Sequence, residues 1–500
     1  MRRIGRRAGW VAAWAAAVLV AAPGEAQTPP AATEAWDAVY IAGSKVGHIK
    51  TKVAQVEDRG RKLVRVQVDT TLTFKRGDDT STMELQYGTI ETPEGSVLRL
   101  DTRTLVSRQI IRVHGDVVDG KMTLKIENGI QKQEAVIDWA PDVLGPYGPE
   151  LILSRQPMKP GDERTIKMFI PGLNKIGEAR LTARSIEPVP LGGGAKRDLL
   201  RVDQVTYLDG QKMLAEMNPT YWVDSGGQVL KNYTDAYGGM VTYRTTREAA
   251  IRRSGESLDL IGSSVVKLPR KITNPESSRD VVYRITMKDD SPSAIFPADR
   301  RQTITPGADP KTATIQVKTA GPEAGTPGPD TVGPEFLRSN ALITSDDAKV
   351  IALSRQAIGR AVDPWEKALA ITKWVATNIR EKDFETSFAP ADEVARSLSG
   401  DCTEHGVLTA AMCRAQGIPA KVVVGLVYVP HLGGFGFHMW NEVYVNRRWV
   451  AIDSAFDQTQ VDASHIKLSD TSLDGVSPFE TFLSVARVFN KISMEAVEVR

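Results

Sequence analysis

Cys402 has the sequence setting of a nucleophilic thiol. It follows Gly400 and Asp401 and opens a stretch, residues 403–416, whose apolar positions recur at helical spacing. A cysteine at the start of a helix lies near backbone N–H groups that lack intrahelical acceptors and near the positive end of the helix dipole, and both favour a thiolate. Its own N–H can also donate to a developing oxyanion. We therefore predict that Cys402 is a nucleophile, and that Cys413, in the body of the same helix, is a buried structural residue.

A thiol nucleophile needs a base, and a base needs a group that orients it. His438 and Asp453 lie on two successive strand-like segments that are joined by a short turn. A two-residue turn at 445–446 pairs them directly, whereas a turn at 446–447 places them diagonally. In either register the carboxylate reaches the imidazole across a hairpin. The sequence therefore predicts a catalytic triad of Cys402, His438 and Asp453.

Four short motifs around these residues resemble the transglutaminase-like superfamily, a papain-like group whose bacterial members include exported cysteine proteases and related amide-acting enzymes. The motifs are, in order, Gly400-Asp401-Cys402, Gly417-Ile418-Pro419-Ala420, His438-Met439-Trp440-Asn441-Glu442-Val443 and Trp449-Val450-Ala451-Ile452-Asp453. The resemblance covers roughly residues 333–500 and implies an α+β, papain-like fold there.

The resemblance also implies roles and chemistry. Cys402 would be the nucleophile, His438 the general base and acid, and Asp453 the residue that orients the imidazole. The thiolate would attack the amide carbonyl of a glutamine, an asparagine or a peptide bond and form a thioester. Water would then resolve the thioester in a hydrolase, and an amine in an acyltransferase. No cofactor or metal is implied.

Several further positions are weighed without a firm role. A second oxyanion donor is expected upstream of Cys402, in the region of Thr386, Ser387 and Phe388, but no residue there stands out. Trp440 is predicted to be core and Asn441 structural. Minor candidates for the site are His405, Glu404 and His431, whereas His48, His114 and His465 are interpreted as ordinary surface or core residues.

Two alternatives to an enzyme that works on its own stay open. The transglutaminase-like fold could serve as a non-catalytic binding or scaffold protein of the cell envelope, although a scaffold has no need to keep three triad residues in register. The N-terminal region could also be a ligand-binding module to which the enzyme is an accessory.

The elements that must position the triad follow a helix-then-sheet order. Helices are predicted at 346–360 with Ser345 as N-cap, from Asp363 with Pro364 at its first position, at 391–398 and at 403–416. Strands are predicted at 421–429, 437–445 and 449–453. This order is typical of an α+β domain.

The N-terminal two-thirds of the chain has a β pattern. Between Leu63 and Phe74 the even positions are apolar or β-branched and the odd positions from Arg65 are polar, as in a strand with one buried face. Tight turns are predicted at Asp119-Gly120, Asn128-Gly129 and Asp209-Gly210. These features favour an antiparallel sheet, curved or closed.

These patterns together predict a multidomain protein. The predicted segments are a signal peptide at 1–26, a β-rich domain at 27–262, a small β domain at 263–320, a Gly/Pro-rich linker at 321–334 and a catalytic domain at 335–500.

The first residues resemble an export signal, since four arginines precede an apolar run from Ala8 to Ala22 and a small-residue site at 24–26. The run is shorter than the ~20 residues of a membrane span, although an uncleaved anchor is the alternative. We expect a periplasmic or secreted protein with no stable membrane span after cleavage. Cys402 and Cys413 would then stay unpaired, about 16 Å apart on one helix.

Net charge bears on the partners. The chain carries a formal charge of +2, and loss of residues 1–26, with four arginines and one glutamate, leaves the mature chain near −1. A near-neutral chain has no global electrostatic reason to bind nucleic acid. The expected partner is a protein or peptide substrate, and the oligomeric state is left open.

Overall fold

The computed structural model describes residues 33–500 except 77–78, 107–108, 129–130, 192–195, 214–216, 253–264, 324–325, 329–331, 381–388, 475–483, 486 and 489. The predicted signal peptide lies outside the described residues, and so do Thr386, Ser387 and Phe388. In the described part of the chain, no helix has both the length and the apolar character that a bilayer crossing needs.

The N-terminal region is one large sheet of sixteen strands. Adjacent strands, numbered in chain order, pair in the order β8-β7-β6-β5-β4-β3-β2-β1-β16-β15-β14-β12-β11-β10-β9, with β13 beside β12. All pairs are antiparallel except β9 with β10. The strands are β1 (Thr33–Ile41), β2 (Ser44–Asp58), β3 (Arg61–Arg76), β4 (Asp79–Glu91), β5 (Val97–Val106), β6 (Gln109–Val118), β7 (Lys121–Asn128), β8 (Gln131–Asp138), β9 (Val143–Leu144), β10 (Glu163–Ile170), β11 (Lys175–Pro190), β12 (Lys196–Leu208), β13 (Gln211–Lys212), β14 (Thr220–Val223), β15 (Val229–Thr234) and β16 (Met240–Thr245).

The sheet curves until its two ends share a core. Leu100 of β5 and Met122 of β7 belong to the same buried cluster as Phe169 of β10, near the opposite end of the strand order. Helix α1 (Gly148–Arg155) supplies Leu151 and Leu153 to two further clusters on the inner face. This curvature agrees with the expected curved or closed antiparallel sheet.

Two of the predicted tight turns are found where the sequence places them. Asp119-Gly120 joins β6 to β7 with φ values of 49° and 73°, and Asp209-Gly210 joins β12 to β13 with 51° and 76°. Positive φ at both central residues is the signature of the hairpin turns that match strand twist. The turn at Asn128-Gly129 lies partly outside the described residues, but β7 and β8 pair across it as an antiparallel hairpin.

The C-terminal half contains two smaller sheets. One has the order β19-β20-β18-β25 and the other β17-β22-β21-β24, with β23 beside β22. The first sheet consists of β18 (Asp280–Met287), β19 (Gln302–Pro306), β20 (Thr312–Lys318) and β25 (Ile492–Val499). The second consists of β17 (Val266–Lys267), β21 (Ala420–Val429), β22 (Gly434–Val445), β23 (Arg448–Ile452) and β24 (His465–Thr471).

One of these sheets joins the predicted small β domain to the end of the chain. The strands of the predicted small β domain at 263–320 share a sheet with β25, the last strand of the chain. Residues of both sheets, such as Tyr283 and Phe435, also share one hydrophobic cluster. The linker at 321–334 therefore does not separate two hydrophobic cores, and the reason is that β25 returns to pair with β18.

Six further helices are described, namely α2 (Arg247–Ile251), α3 (Pro292–Ile295), α4 (Ala348–Ile358), α5 (Pro364–Asn378), α6 (Ala391–Ser397) and α7 (Cys402–Ala415). The last four, α4 to α7, cover one side of the second sheet. Asp363 caps α5 as predicted, accepting from the N–H groups of Trp365 and Glu366. The predicted cap of α4 at Ser345 is wrong, because the carboxylate of Asp347 accepts from two first-turn N–H groups.

Helix α7 lies directly on strand β22. A Cβ atom added at Gly406 would meet the Met439 sulfur at 3.0 Å, so glycine lets the helix approach the strand closely. Helices α4 to α7 and the covered face of the sheet bury one continuous cluster that includes Ile371, Leu408 and Val443. This packing fixes the start of α7 relative to β22.

Candidate active site

Cys402 is the first residue of α7, and a complete capping box holds that end of the helix. The Asp401 carboxylate accepts from the Thr403 N–H at 2.8 Å, and the Glu404 carboxylate accepts from the Asp401 N–H at 3.0 Å. Gly400 precedes the box with φ of 143°, and a Cβ there would come within 2.4 Å of the Glu404 side chain. The Gly-Asp-Cys motif is therefore a helix N-terminal motif that fixes the position of Cys402.

The hairpin of β22 and β23 brings His438 and Asp453 together. Asn446 and Arg447 both have positive φ, and the register pairs Asn441 with Ile452. This is the two-residue turn at 446–447, so Asp453 lies diagonal to His438. The Nε2 atom of His438 is 2.7 Å from Oδ2 of Asp453, and both side chains are buried.

The thiol of Cys402 lies beside the strand that carries His438. The backbone N–H of Met439, the next residue along β22, donates a hydrogen bond to the Cys402 sulfur. Because Nε2 of His438 faces Asp453, Nδ1 is the ring nitrogen that Asp453 does not engage. The charge of Asp453 also helps to raise the pKa of the Cys402 thiol, so the carboxylate lies near the start of α7.

Burial raises the pKa of the Cys402 thiol well above its usual range. The negative charges of Asp401 and Asp453 add to the rise, as does Glu404 when it is ionised, and the hydrogen bond from Met439 opposes it. This direction is opposite to the one expected from the helix N-terminus, because burial favours the neutral thiol over the thiolate. The cause is that the sulfur packs against the core of α4 to α7, with carboxylates as its charged neighbours.

Glu404 shows the same effect of burial. Burial, followed by the charge of Asp401, raises the pKa of Glu404 to about 8. At neutral pH this carboxyl is therefore mostly uncharged, so little of its negative charge acts on Cys402. Its oxygens also accept hydrogen bonds from the Ala389 N–H and the Thr403 hydroxyl.

Asp453 is a carboxylate surrounded by donors. Its Oδ1 accepts from the N–H groups of Ala455 at 2.8 Å and Phe456 at 3.3 Å, while Oδ2 faces His438 and His465. Burial alone would raise the pKa of Asp453, but the charges and hydrogen bonds of the two imidazoles hold it far below its usual range. Asp453 is therefore ionised at any pH at which the protein would work.

His465, at the start of β24, is the site residue that the sequence interpretation missed. Its Nε2 lies 3.1 Å from Oδ2 of Asp453, and its Nδ1 lies 3.0 Å from Oδ1 of Asp462. The residue is 1% exposed. It reaches the site because β24 pairs with β21, with Val427 opposite His465. That pairing joins distant segments, and no local motif indicates it.

The other weighed residues have structural contacts. Asn441 donates to the backbone oxygens of Gly406 and Lys421, which ties α7 to the sheet, and Trp440 is fully buried. The Nδ1 of buried His405 is 2.7 Å from the Asp401 carbonyl oxygen. His431 is exposed in the turn before β22. An exposed aromatic ring, Phe456, packs edge-on against His438 at 4.8 Å between centroids.

His438, Asp453 and His465 are also the group of side chains, within the described residues, whose donor atoms could approach one metal ion. Those atoms lie within 4.8 Å of one another. Asp453 is also hydrogen-bonded to both histidines of the group.

A family model described as the transglutaminase-like superfamily matches residues 351–454. The match includes all three triad residues. Two curated relatives, both called kyphoscoliosis peptidase, are similar over a segment of comparable length. The mouse protein is 29% identical over 122 residues, 21% of this chain and 17% of its own length. The human protein is 30% identical over 115 residues, 19% and 16% of the two chains. The chain thus spans about a sixth of the length of these relatives.

Two solved structures show partial likenesses. A Cytophaga hutchinsonii protein described as a candidate cysteine protease has 17% identity and a TM-score of 0.31, covering 44% of this chain and 86% of that chain. A β-barrel-like protein of a domain of unknown function from Brucella abortus has 12% identity and a TM-score of 0.31, covering 43% and 95%. At these values neither likeness bears on function. The chain thus combines a large β-rich N-terminal region with a C-terminal transglutaminase-like domain.

Proposed function

We propose that this protein is an exported, cysteine-dependent enzyme that acts on amide bonds through a thioester intermediate. The observation that supports the proposal most directly is a buried imidazole–carboxylate pair, His438 and Asp453, with an N···O distance of 2.7 Å, whose carboxylate acts on the pKa of the helix-start thiol of Cys402. The match of residues 351–454 to the transglutaminase-like superfamily, and the similarity to proteins named as peptidases, support the same chemistry. The substrate class is a protein or peptide.

The first half-reaction begins with a neutral thiol. Nδ1 of His438 takes the proton from Cys402 as the sulfur attacks the amide carbonyl carbon, and the carbonyl electrons move to oxygen. The N–H of Cys402 lies in the first turn of α7, where helical N–H groups have no intrahelical acceptor, and it donates to this oxyanion. The ionised Asp453 stabilises the imidazolium that forms.

The second half begins when His438 returns its proton to the leaving nitrogen. The C–N bond breaks, ammonia or an amine departs, and a thioester remains on Cys402. Water or an amine then attacks the thioester while His438 removes its proton. The acid or new amide leaves, and the proton passes back to the Cys402 sulfur.

A glutamine-containing peptide, offered with a biotinylated primary amine, tests the reaction class. Peptide cleavage, ammonia release and biotin incorporation distinguish a protease, a deamidating hydrolase and a transferase. Cys402→Ala should abolish whichever product forms, and Cys413→Ala, which changes the other thiol on the same helix, should not. If the wild-type protein gives none of these products, the non-catalytic scaffold alternative takes the place of this proposal.

A further inference from the structure

His465 faces a carboxylate with each of its ring nitrogens. Nδ1 is 3.0 Å from Asp462 and Nε2 is 3.1 Å from Asp453, in a side chain that is 1% exposed. An ionised carboxylate only accepts hydrogen bonds, so a ring nitrogen that meets one must carry a proton. If both carboxylates are ionised, His465 is an imidazolium.

The contacts of the two carboxylates favour their ionised forms. Asp462 accepts from the Ser464 N–H at 2.8 Å and hydroxyl at 2.6 Å, and from the Gln458 amide at 2.7 Å. Asp453 accepts from two backbone N–H groups besides the imidazoles. Both oxygens of Asp462 and Oδ1 of Asp453 thus face N–H groups that can only donate, and these contacts stabilise a carboxylate more than a carboxylic acid.

The same argument fixes the tautomer of His438. Oδ2 of Asp453 accepts from His465 on one side, and on the other it lies 2.7 Å from Nε2 of His438. That nitrogen must therefore be a donor, which leaves the lone pair of His438 on Nδ1. A second donor on Oδ2 also restricts rotation of the Asp453 carboxylate.

We propose that His465 is a positioning residue: an imidazolium, held between Asp462 and Asp453, that locks Asp453 so that His438 presents its Nδ1 lone pair to Cys402. The inference rests on the proposed function, because it assigns His465 a part in that reaction. The four groups Asp462, His465, Asp453 and His438 then form one hydrogen-bonded row of alternating charge.

The charges around His465 are balanced by this row. Asp462 offsets the imidazolium, so Asp453 keeps its charge for His438. Two further ionisable side chains, those of Arg301 and Tyr283, contact the backbone just before His465. Arg301 donates to the backbone oxygens of Val461 and Asp462, and the Tyr283 hydroxyl donates to the carbonyl oxygen of Ala463.

Nuclear magnetic resonance of imidazole-labelled wild-type protein tests the protonation states without any activity. The expected result at pH 7 is a proton on both ring nitrogens of His465 and on Nε2 of His438. A single proton on His465, or a proton on Nδ1 of neutral His438, would overturn the proposal. In His465→Ala, which removes the donor to Oδ2 of Asp453, His438 should populate both tautomers.

The kinetic test measures acylation of Cys402 by p-nitrophenyl acetate across pH. His465→Ala should slow acylation on the order of tenfold to a hundredfold, as loss of an outer partner of a buried imidazole does. His465→Gln keeps a donor and should recover part of the rate.

His114→Gln is the matched control. The ring nitrogens of His114 also face two carboxylates, Asp101 at 2.6 Å and Asp116 at 2.9 Å, but on the N-terminal sheet. This variant should leave the rate and pH profile unchanged. Wild-type kinetics in both His465 variants would refute the positioning role. If no variant or wild-type protein is acylated while the resonances are as expected, the proposed function fails and the imidazolium assignment stands.

Discussion

The substitution Asp453→Asn isolates the charge of the orienting carboxylate with almost no change in shape. Oδ1 can still accept from the N–H groups of Ala455 and Phe456. The other position becomes an NH₂ group that faces the Nε2 atoms of His438 and His465. Two donors cannot share a hydrogen bond, so His438 must move its proton to Nδ1, where it can no longer accept one from Cys402.

The size of the effect follows from electrostatics. In the transition state His438 is an imidazolium beside Asp453, and unit charges about 4 Å apart at an effective dielectric of about 20 attract by about 4 kcal/mol. That energy corresponds to about a thousandfold in rate. The tautomer change adds to the loss, and the equivalent substitution in the serine protease triad costs about ten thousandfold. We expect a loss between these two values.

The assay is the release of p-nitrophenolate in the first turnover with p-nitrophenyl acetate. Asp101→Asn is the control, because Asp101 also pairs with a histidine, His114, at 2.6 Å but lies far along the chain in the N-terminal sheet. Circular dichroism would show that both variants are folded. If folded Asp453→Asn keeps a tenth or more of the wild-type rate, the assigned role of Asp453 is wrong.

Three further predictions concern stability and thiol reactivity. Burial alone would raise the pKa of Glu442, but two buried lysines lower it to about 2. Glu442→Gln should therefore reduce the free energy of unfolding, measured in urea at pH 7, by about 3–5 kcal/mol. The reduction should become smaller as the pH falls from about 4.3 towards 2. Folded Glu404 keeps its proton up to about pH 8, so wild-type melting temperature should fall as pH rises from about 4.3 to 8, and Glu404→Gln should flatten this slope. Burial raises the pKa of Cys413 to about 12, and Cys413 is buried whereas Cys402 is partly exposed. Iodoacetamide should therefore label Cys402 alone in the native protein, at a rate that still rises above pH ~8.5 because the pKa of Cys402 is also raised, and both thiols in urea. Native labelling of Cys413 would contradict its burial.

The sequence was sufficient for the parts of the site that depend on local geometry. Helix α7 starts at Cys402 because a glycine and a capping box precede it. His438 and Asp453 lie diagonally across the hairpin because a two-residue turn joins their strands. The sequence left two possible positions for that turn, 445–446 and 446–447. In both cases the partners are close along the chain, so turn and helix geometry determine where they meet.

What the sequence could not predict depends on distant segments. His465 meets Asp453 only because β24 pairs with β21, and the last strand, β25, joins a sheet begun at Asp280. The raised pKa of Cys402 likewise follows from burial and from charges such as Asp453, which the local motif does not contain. Tertiary packing therefore overrides the helix N-terminal effect on which the thiolate expectation was based.

The central claim is that His438 activates Cys402 as a nucleophile. The most direct test is intact and peptide mass spectrometry after brief exposure to p-nitrophenyl acetate at pH 7, in the wild-type protein, Cys402→Ala and His438→Ala. We predict an acetyl group on Cys402 in the wild type, removable by hydroxylamine as a thioester is, and none at this position in either variant. Equal acetylation of Cys402 in His438→Ala would contradict the account.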